Sequence, residues 1–317
     1  MSIIEKAANK LGASPSSSSP IRADDRHESV INGGLIEAAV ARRHAPAAIP
    51  DQESQVIRDI SDEIESQVDV VVTGETQLVD LPRLKKMGAI TPDAEKSQIA
   101  EEFRIIKRPL IANAFGQGTA LVKNGNLIMI TSSLPGEGKS FCAINLAISM
   151  AMEMDRTVLL VDADVARPRL PEYLGIHADK GLLDVLQDKN LHLSDVLIKT
   201  NIAKLTVLPA GRTYKRATEL LASAAMTRLV EDIGNRYHDR IIIFDSPPLL
   251  ATSEASVLAT HMGQIVMVVE AEKTSQEAVT EALNHIQSCE VVSMLLNKTS
   301  GAPGADYYYG YYGSYGK

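Results

Sequence analysis

Six short runs of aliphatic and β-branched residues recur at 126–132 (NLIMITS), 157–163 (TVLLVDA), 204–210 (KLTVLPA), 240–246 (RIIIFDS), 264–270 (QIVMVVE) and 291–297 (VVSMLLN). Their apolar positions are nearly continuous rather than alternating, which predicts strands buried on both faces. Stretches of helical length separate them, including 139–154, 216–236 and 274–288. Strand and helix in alternation predict an α/β fold, a mostly parallel sheet with helices on both faces. Ligands of such sheets bind at the carboxyl ends of the strands.

The pattern ahead of the first strand differs. In "ITPDAEKSQIAEEFRIIKRP", Thr91 is placed to cap a helix with Pro92 in its first turn, and Pro109 to stop it after Arg108. Residues 1–95 read as a mostly disordered region. "SPSSSSP" has linker composition, and 51–80 carries nine acidic residues against one Arg. Two pieces within it have an apolar helical face: Ile3, Ile4, Ala7, Ala8 and Leu11, then Val56, Ile57, Ile60, Ile64 and Val68. The expected organisation is therefore an N-terminal region (1–95), one α/β domain (96–306) and a tail (307–317).

Composition narrows the function. Hydrophobic residues make up 45% of the 317, enough for a sizeable core. A net charge of −8 excludes the basic stripe that nucleic-acid binding requires, so no nucleic-acid partner is expected. The two cysteines, Cys142 and Cys289, have no metal or redox spacing and read as reduced core thiols. No apolar run reaches the roughly 18 to 20 residues that span a bilayer. Together these features predict a cytoplasmic protein.

The chemistry-bearing residues cluster at strand ends. "TSSLPGEGKS" follows the first strand and opens a helix at Lys139. Such a turn offers backbone N–H groups, a cation and a hydroxyl together, as a triphosphate with Mg²⁺ requires. The strict phosphate-loop pattern wants Gly where Ser133 stands. Strand–turn–helix context still predicts a P-loop nucleotide site for ATP and Mg²⁺. Its residues are Gly136, Glu137, Gly138, Lys139, Ser140 and Phe141, with Lys139 on the β- and γ-phosphates and Ser140 on the metal. Asp162 and Asp164, two apart in "VLLVDADVARP", share one side of a strand end. One of the pair can hold Mg²⁺ through water while the other accepts a proton from an attacking hydroxyl. The working assignment puts Asp164 with Ser140 and Asp245 on the metal and makes Asp162 the base. Asp245, ending "IIIFDSPP", occupies the place of a Mg²⁺-orienting acid. Asn297 closes the last strand, where its amide can pair with an adenine edge.

These motifs in this order, with a second D-x-D after the P-loop, resemble the bacterial tyrosine kinases over about 96–300 and the tail. "AEEFRIIKRP" is similar to that family's oligomerisation helix, through Glu101, Arg104 and Lys107, with Lys107 where the family has Arg. "GLLDVL" (181–186) and "ELLAS" (219–223) add to the likeness. In the second aspartate motif Ala166 stands where the family usually has Arg, and Arg167 follows. Partition and septum-placement ATPases share the fold, but carry a second Lys at the place of Leu134.

The resemblance implies phosphorylation in trans of a C-terminal tyrosine cluster. Here that cluster is Tyr307, Tyr308, Tyr309, Tyr311, Tyr312 and Tyr315, six of the chain's nine tyrosines. It also implies a ring of unphosphorylated copies. It implies a separate membrane protein, of the polysaccharide chain-length type, as activator and recruiter to the inner face of the membrane. The process implied is exopolysaccharide assembly or export.

Overall fold

The computed structural model describes residues 76–93, 97–116 and 122–300. The two N-terminal amphipathic pieces and the tyrosine tail lie outside the described residues.

The six predicted strands form within a few residues of their expected bounds: β1 (Leu127–Ser132), β2 (Thr157–Asp162), β4 (Leu205–Leu208), β5 (Arg240–Asp245), β6 (Gln264–Glu270) and β7 (Val291–Asn297). A two-residue strand, β3 (Ile198–Lys199), pairs antiparallel with β4 and was not legible as a strand. The sheet order is β3-β4-β2-β5-β1-β6-β7, and every other pairing is parallel. Each face carries its own apolar cluster. β1 is buried at all six positions, as expected for a central strand covered on both sides.

One face is covered by α3 (Lys139–Ala151), buried from Cys142 through Ala151. A helix apolar all round belongs in an interior. α3 sits between the sheet and an outer helix, α2 (Gln98–Phe115). The segment 76–93 packs on the same cluster through Val79, Leu84 and Ile90, with a short helix α1 (Leu81–Lys86) capped by Asp80. Residues 76–93, read from the sequence as part of the N-terminal region, therefore pack on the core of the domain. Three apolar anchors, spaced too irregularly to read as an element, hold this segment down.

The opposite face is covered by α5 (Leu182–Gln187), α6 (Ala217–Leu221), α7 (Ala224–Arg236), α8 (Glu254–Ala259) and α9 (Gln276–Asn284), after the small α4 (Leu170–Leu174) of the first face. The single helix expected over 216–236 is two, because the Ser223 hydroxyl accepts from Met226 N and starts α7 afresh.

The lead-in helix also departs from expectation. Ser97 caps α2, while Thr91 is buried in the preceding turn, and Pro109 lies inside the helix, which continues to Phe115. Proline removes one N–H to the carbonyl four residues back. That carbonyl belongs to Ile105, on an exposed turn where water can serve it.

Candidate active site

α3 begins at Gly138, which offers no capping side chain, and its first turn holds no acidic residue. Its first N–H groups therefore point outward unpaired, under the positive end of the helix dipole. Gly138 sits at φ +99, and a Cβ there would stand 2.1 Å from Asn297 Nδ2. Gly136 is also left-handed, at φ +89. Only glycine fits such a turn without strain.

β7 and the end of β6 hold this loop from the side. Asn297 Nδ2 donates to Glu137 O at 2.8 Å, and Lys298 Nζ donates to Gly136 O at 2.7 Å and pairs with Glu270 at 3.1 Å. The Glu137 carboxylate is buried; it accepts from Leu134 N at 2.7 Å and from the Thr274 hydroxyl. Asn297, expected on an adenine edge, here uses its amide N–H on the loop. Glu137, expected only as a loop residue, is the loop's internal brace. Nothing in the local spacing signals Thr274 or Lys298, because their partners in the loop lie more than 130 residues away.

Asp162 and Asp245 are brought side by side by the register, facing each other as paired positions of β2 and β5. Lys139 Nζ lies 2.6 Å from Asp164 and 3.7 Å from Asp245. Burial acts to lower the Lys139 pKa, but Asp245 and Asp164 outweigh it and hold the ammonium above the usual lysine range. Burial pushes Asp245 up to about 6, against the opposing pull of Lys139 and a hydrogen bond from Ser140. Asp162 is raised to about 8, by burial first and then by Asp245.

Two oxygens in this group have no hydrogen-bond partner: Asp162 Oδ1 and Asp245 Oδ1, both buried. Orphaned carboxylate oxygens beside the Ser140 hydroxyl suit a hydrated divalent cation. Among the described residues, no three His, Cys, Asp or Glu side chains form a cage of their own. A Mg²⁺ here would be held by one or two protein oxygens, with waters and phosphates completing its shell.

A cavity of about 630 Å³ opens over these groups. Gly136, Gly138, Lys139, Ser140 and Asp164 line it, with Arg167, Arg169 and Tyr173 beyond. Asp162 is not part of that lining and is fully buried, its Oδ2 accepting from Leu170 N at 3.0 Å. A base must reach the proton it takes. The geometry therefore counts against Asp162 as base and puts Asp164, which faces the cavity, in the better position.

The residues of the lead-in helix divide. Arg104 pairs with Glu101 on the same helix. Lys107, expected to face a neighbouring copy, is instead 6% exposed and turned inward, on Ser149 O at 2.5 Å and Glu153 at 2.6 Å. A lysine's long apolar stem lets it reach from α2 to the Ser149 carbonyl in the last turn of α3.

A P-loop before a helix, aspartates ending two neighbouring parallel strands, and the cavity over them define a domain of the P-loop class. The AAA domain family model matches residues 125–298. Over 72% of its length the chain is 30% identical to the putative tyrosine-protein kinase CapB of Staphylococcus aureus, covering 98% of that protein. It is 31% identical over 74% of its length to the succinoglycan biosynthesis transport protein ExoP of Rhizobium meliloti, covering 30% of that longer chain. The crystal structure of the chimerical protein CapA2B2 superposes with a TM-score of 0.59 at 28% identity, covering 76% of this chain and 99% of that one. The chain belongs to the bacterial tyrosine kinases, and it is a tyrosine-protein kinase. No described helix is long and apolar enough to cross a membrane.

Proposed function

We propose that this kinase uses ATP to phosphorylate the six tyrosines of its own tail in a neighbouring copy, and that this controls exopolysaccharide assembly or export. The observation that carries the reading is the cavity joining Lys139 and Asp164 beneath an uncapped helix N-terminus.

Asp164 is held by Lys139. Phosphates seated on the α3 N-terminus draw the Lys139 ammonium to themselves and release that carboxylate. A tail phenol entering the cavity loses its proton to Asp164 as its oxygen forms a bond to the γ-phosphorus. The bond from that phosphorus to the bridging oxygen breaks, and ADP leaves with the electron pair. Ser140 and Asp245 would hold Mg²⁺, with Asp162 on its water shell; the metal supplies charge neutralisation between the phosphates.

The unphosphorylated protein assembles as a ring, with Glu101 and Arg104 on an outward face of α2. A separate membrane protein of the polysaccharide co-polymerase kind activates it at the inner face of the membrane. The name of one relative supports this surrounding: it is a succinoglycan biosynthesis transport protein. The test is an anti-phosphotyrosine blot of the purified chain with and without residues 307–317, made in a host lacking tyrosine kinases. Signal in both forms would exclude the tail as the acceptor.

A further inference from the structure

Beyond Asp164, the cavity wall carries two arginines that the reaction does not use. Arg167 and Arg169 both line it, both are exposed, and neither forms an ion pair among the described residues. Their loop is fixed at both ends by the catalytic aspartates themselves. Arg167 N donates to Asp164 Oδ1 at 3.1 Å, and Leu170 N donates to Asp162 Oδ2 at 3.0 Å. Pro168 between them restricts the backbone further. Tyr173, whose N–H donates to Arg169 O at 3.0 Å, also lines the wall. The phosphates of ATP already have Lys139 and the α3 N-terminus. Two exposed guanidiniums on a loop whose backbone is held are left over at the mouth, in a protein whose net charge is −8.

The tail offers an anion of the right kind. Its tyrosines stand one to three residues from one another. In an extended strand at about 3.4 Å per residue, neighbouring phenols root about 3 to 10 Å apart. That range matches a wall only three and five residues along the chain from Asp164. A phosphotyrosine carries about −1.5 to −2 near neutral pH, which two guanidiniums neutralise with paired hydrogen bonds. Phosphates beyond the first meet no further cation of this loop and face Asp164.

We propose that Arg167 and Arg169 form a phosphotyrosine subsite at the mouth of the catalytic cavity, making a tail that carries one phosphotyrosine the preferred acceptor for the next transfer. Phosphorylation then runs along a tail already begun rather than scattering single marks over many tails. This rests on the tail being the acceptor, and the experiment separates the two ideas.

The enzyme is the full chain with its six tail tyrosines replaced by phenylalanine, so that it cannot serve as its own acceptor. Its substrates are two synthetic peptides, ADYYYGYYGSYGK and the same peptide with phosphate on its fifth tyrosine. The parent should show a KM roughly five- to tenfold lower for the phosphopeptide. In R167Q/R169Q the two KM values should converge, and in R167E/R169E their order should invert. A preference that survives R167Q/R169Q overturns the subsite, as does a fall in kcat shared equally by both peptides, which would put the arginines on the transferring phosphoryl group. Equal KM values in a parent that phosphorylates both peptides overturn the subsite alone. A parent that phosphorylates neither overturns the tail reading and the subsite with it.

Discussion

Asp184, in the "GLLDVL" stretch, is the residue whose replacement should cost the most for the least change in shape. Its side chain is fully buried, yet its two oxygens accept four hydrogen bonds. Oδ2 takes Gly181 N and Arg212 N, each at 3.0 Å; Oδ1 takes Arg212 Nε at 2.5 Å and the Tyr214 hydroxyl at 3.0 Å. The carboxylate thus ties the loop after β4 to the start of α5. In Asp184→Asn one oxygen becomes an NH₂ that must face donors. The least costly arrangement keeps the carbonyl on the two backbone N–H groups and turns the NH₂ to Tyr214, whose hydroxyl can rotate to accept. Arg212, 63% exposed, swings into water at small cost. What remains lost is the charge on two buried backbone bonds, about 2 to 3 kcal/mol. For a domain of this size the melting temperature should fall by about 4 to 12 °C. Asp184→Ala, which orphans both N–H groups, should cost about 3 to 5 kcal/mol. Arg212→Ala should cost under about 1 kcal/mol. The acid limb gives a second readout. Burial acts to raise the Asp184 pKa, but the Arg212 and Gly181 N–H groups, the guanidinium and the phenol outweigh it, so the folded value lies below the ordinary one. Its stabilisation is present above the unfolded pKa near 4 and lost as pH falls through the folded value. Asp184→Asn should therefore show a flatter loss of stability below pH 4. Calorimetry and urea melts from pH 3 to 7 measure all of this. A melting point for Asp184→Asn within 1 °C of the parent, or an Arg212→Ala cost equal to that of Asp184→Asn, would refute the account.

Five further outcomes are expected. Lys139→Met should abolish phosphotyrosine on a blot, since its charge acts on phosphates; a phosphotyrosine-positive variant would remove Lys139 from the site. Asp164→Asn should lose transfer by orders of magnitude while nucleotide affinity, read by fluorescent ATP analogue titration, stays within about threefold. Asp245→Asn should instead raise the Mg²⁺ concentration needed for half-maximal rate, and equal loss of nucleotide affinity in both would sink that division. Because burial and Asp245 push Asp162 up to about 8, keeping it ionised costs folding stability that grows between about pH 4 and pH 8. Asp162→Asn should therefore raise the melting point of the nucleotide-free protein more at pH 8 than at pH 5, and an equal shift at both would count against it. Finally, six phosphotyrosines would place roughly −9 to −12 on one tail, beside the carboxylates of a neighbour. Light scattering should find the catalytically dead Lys139→Met form in rings and the phosphorylated parent in smaller species; identical masses would contradict this.

The strands were legible because a buried parallel strand must be almost wholly apolar, and "NLIMITS" and "RIIIFDS" have no other economical use. Asp245 was legible for a related reason, since a polar residue ending such a run is expected at the carboxyl edge, and Lys139 was legible from the glycine turn before it. What the pattern could not carry was long-range pairing. Lys107 looks like a surface charge in its own helix, and only the packing of α3 across it turns it inward. Pro109 reads as a stop until the Ile105 carbonyl is known to face water. The roles of Asp162 and Asp164 depend on which one the cavity reaches, and two residues on one side of a strand end look alike in one dimension. Glu137, Thr274 and Lys298 meet only because β1, β6 and β7 are neighbours in the sheet.

That last meeting fixes where the chain can be shortened. The lysine that grips the Gly136 carbonyl is the residue immediately after β7, itself left-handed at φ +56, and the residues after Ser300 lead directly to the tyrosines. A stop codon placed after residue 300 takes away the six tail tyrosines and leaves the grip. One placed a few codons earlier, before Asn297, takes away both clasps on the phosphate loop without touching a single phosphate ligand, so its silence in a kinase assay would report on a slackened loop and say nothing about the tyrosines.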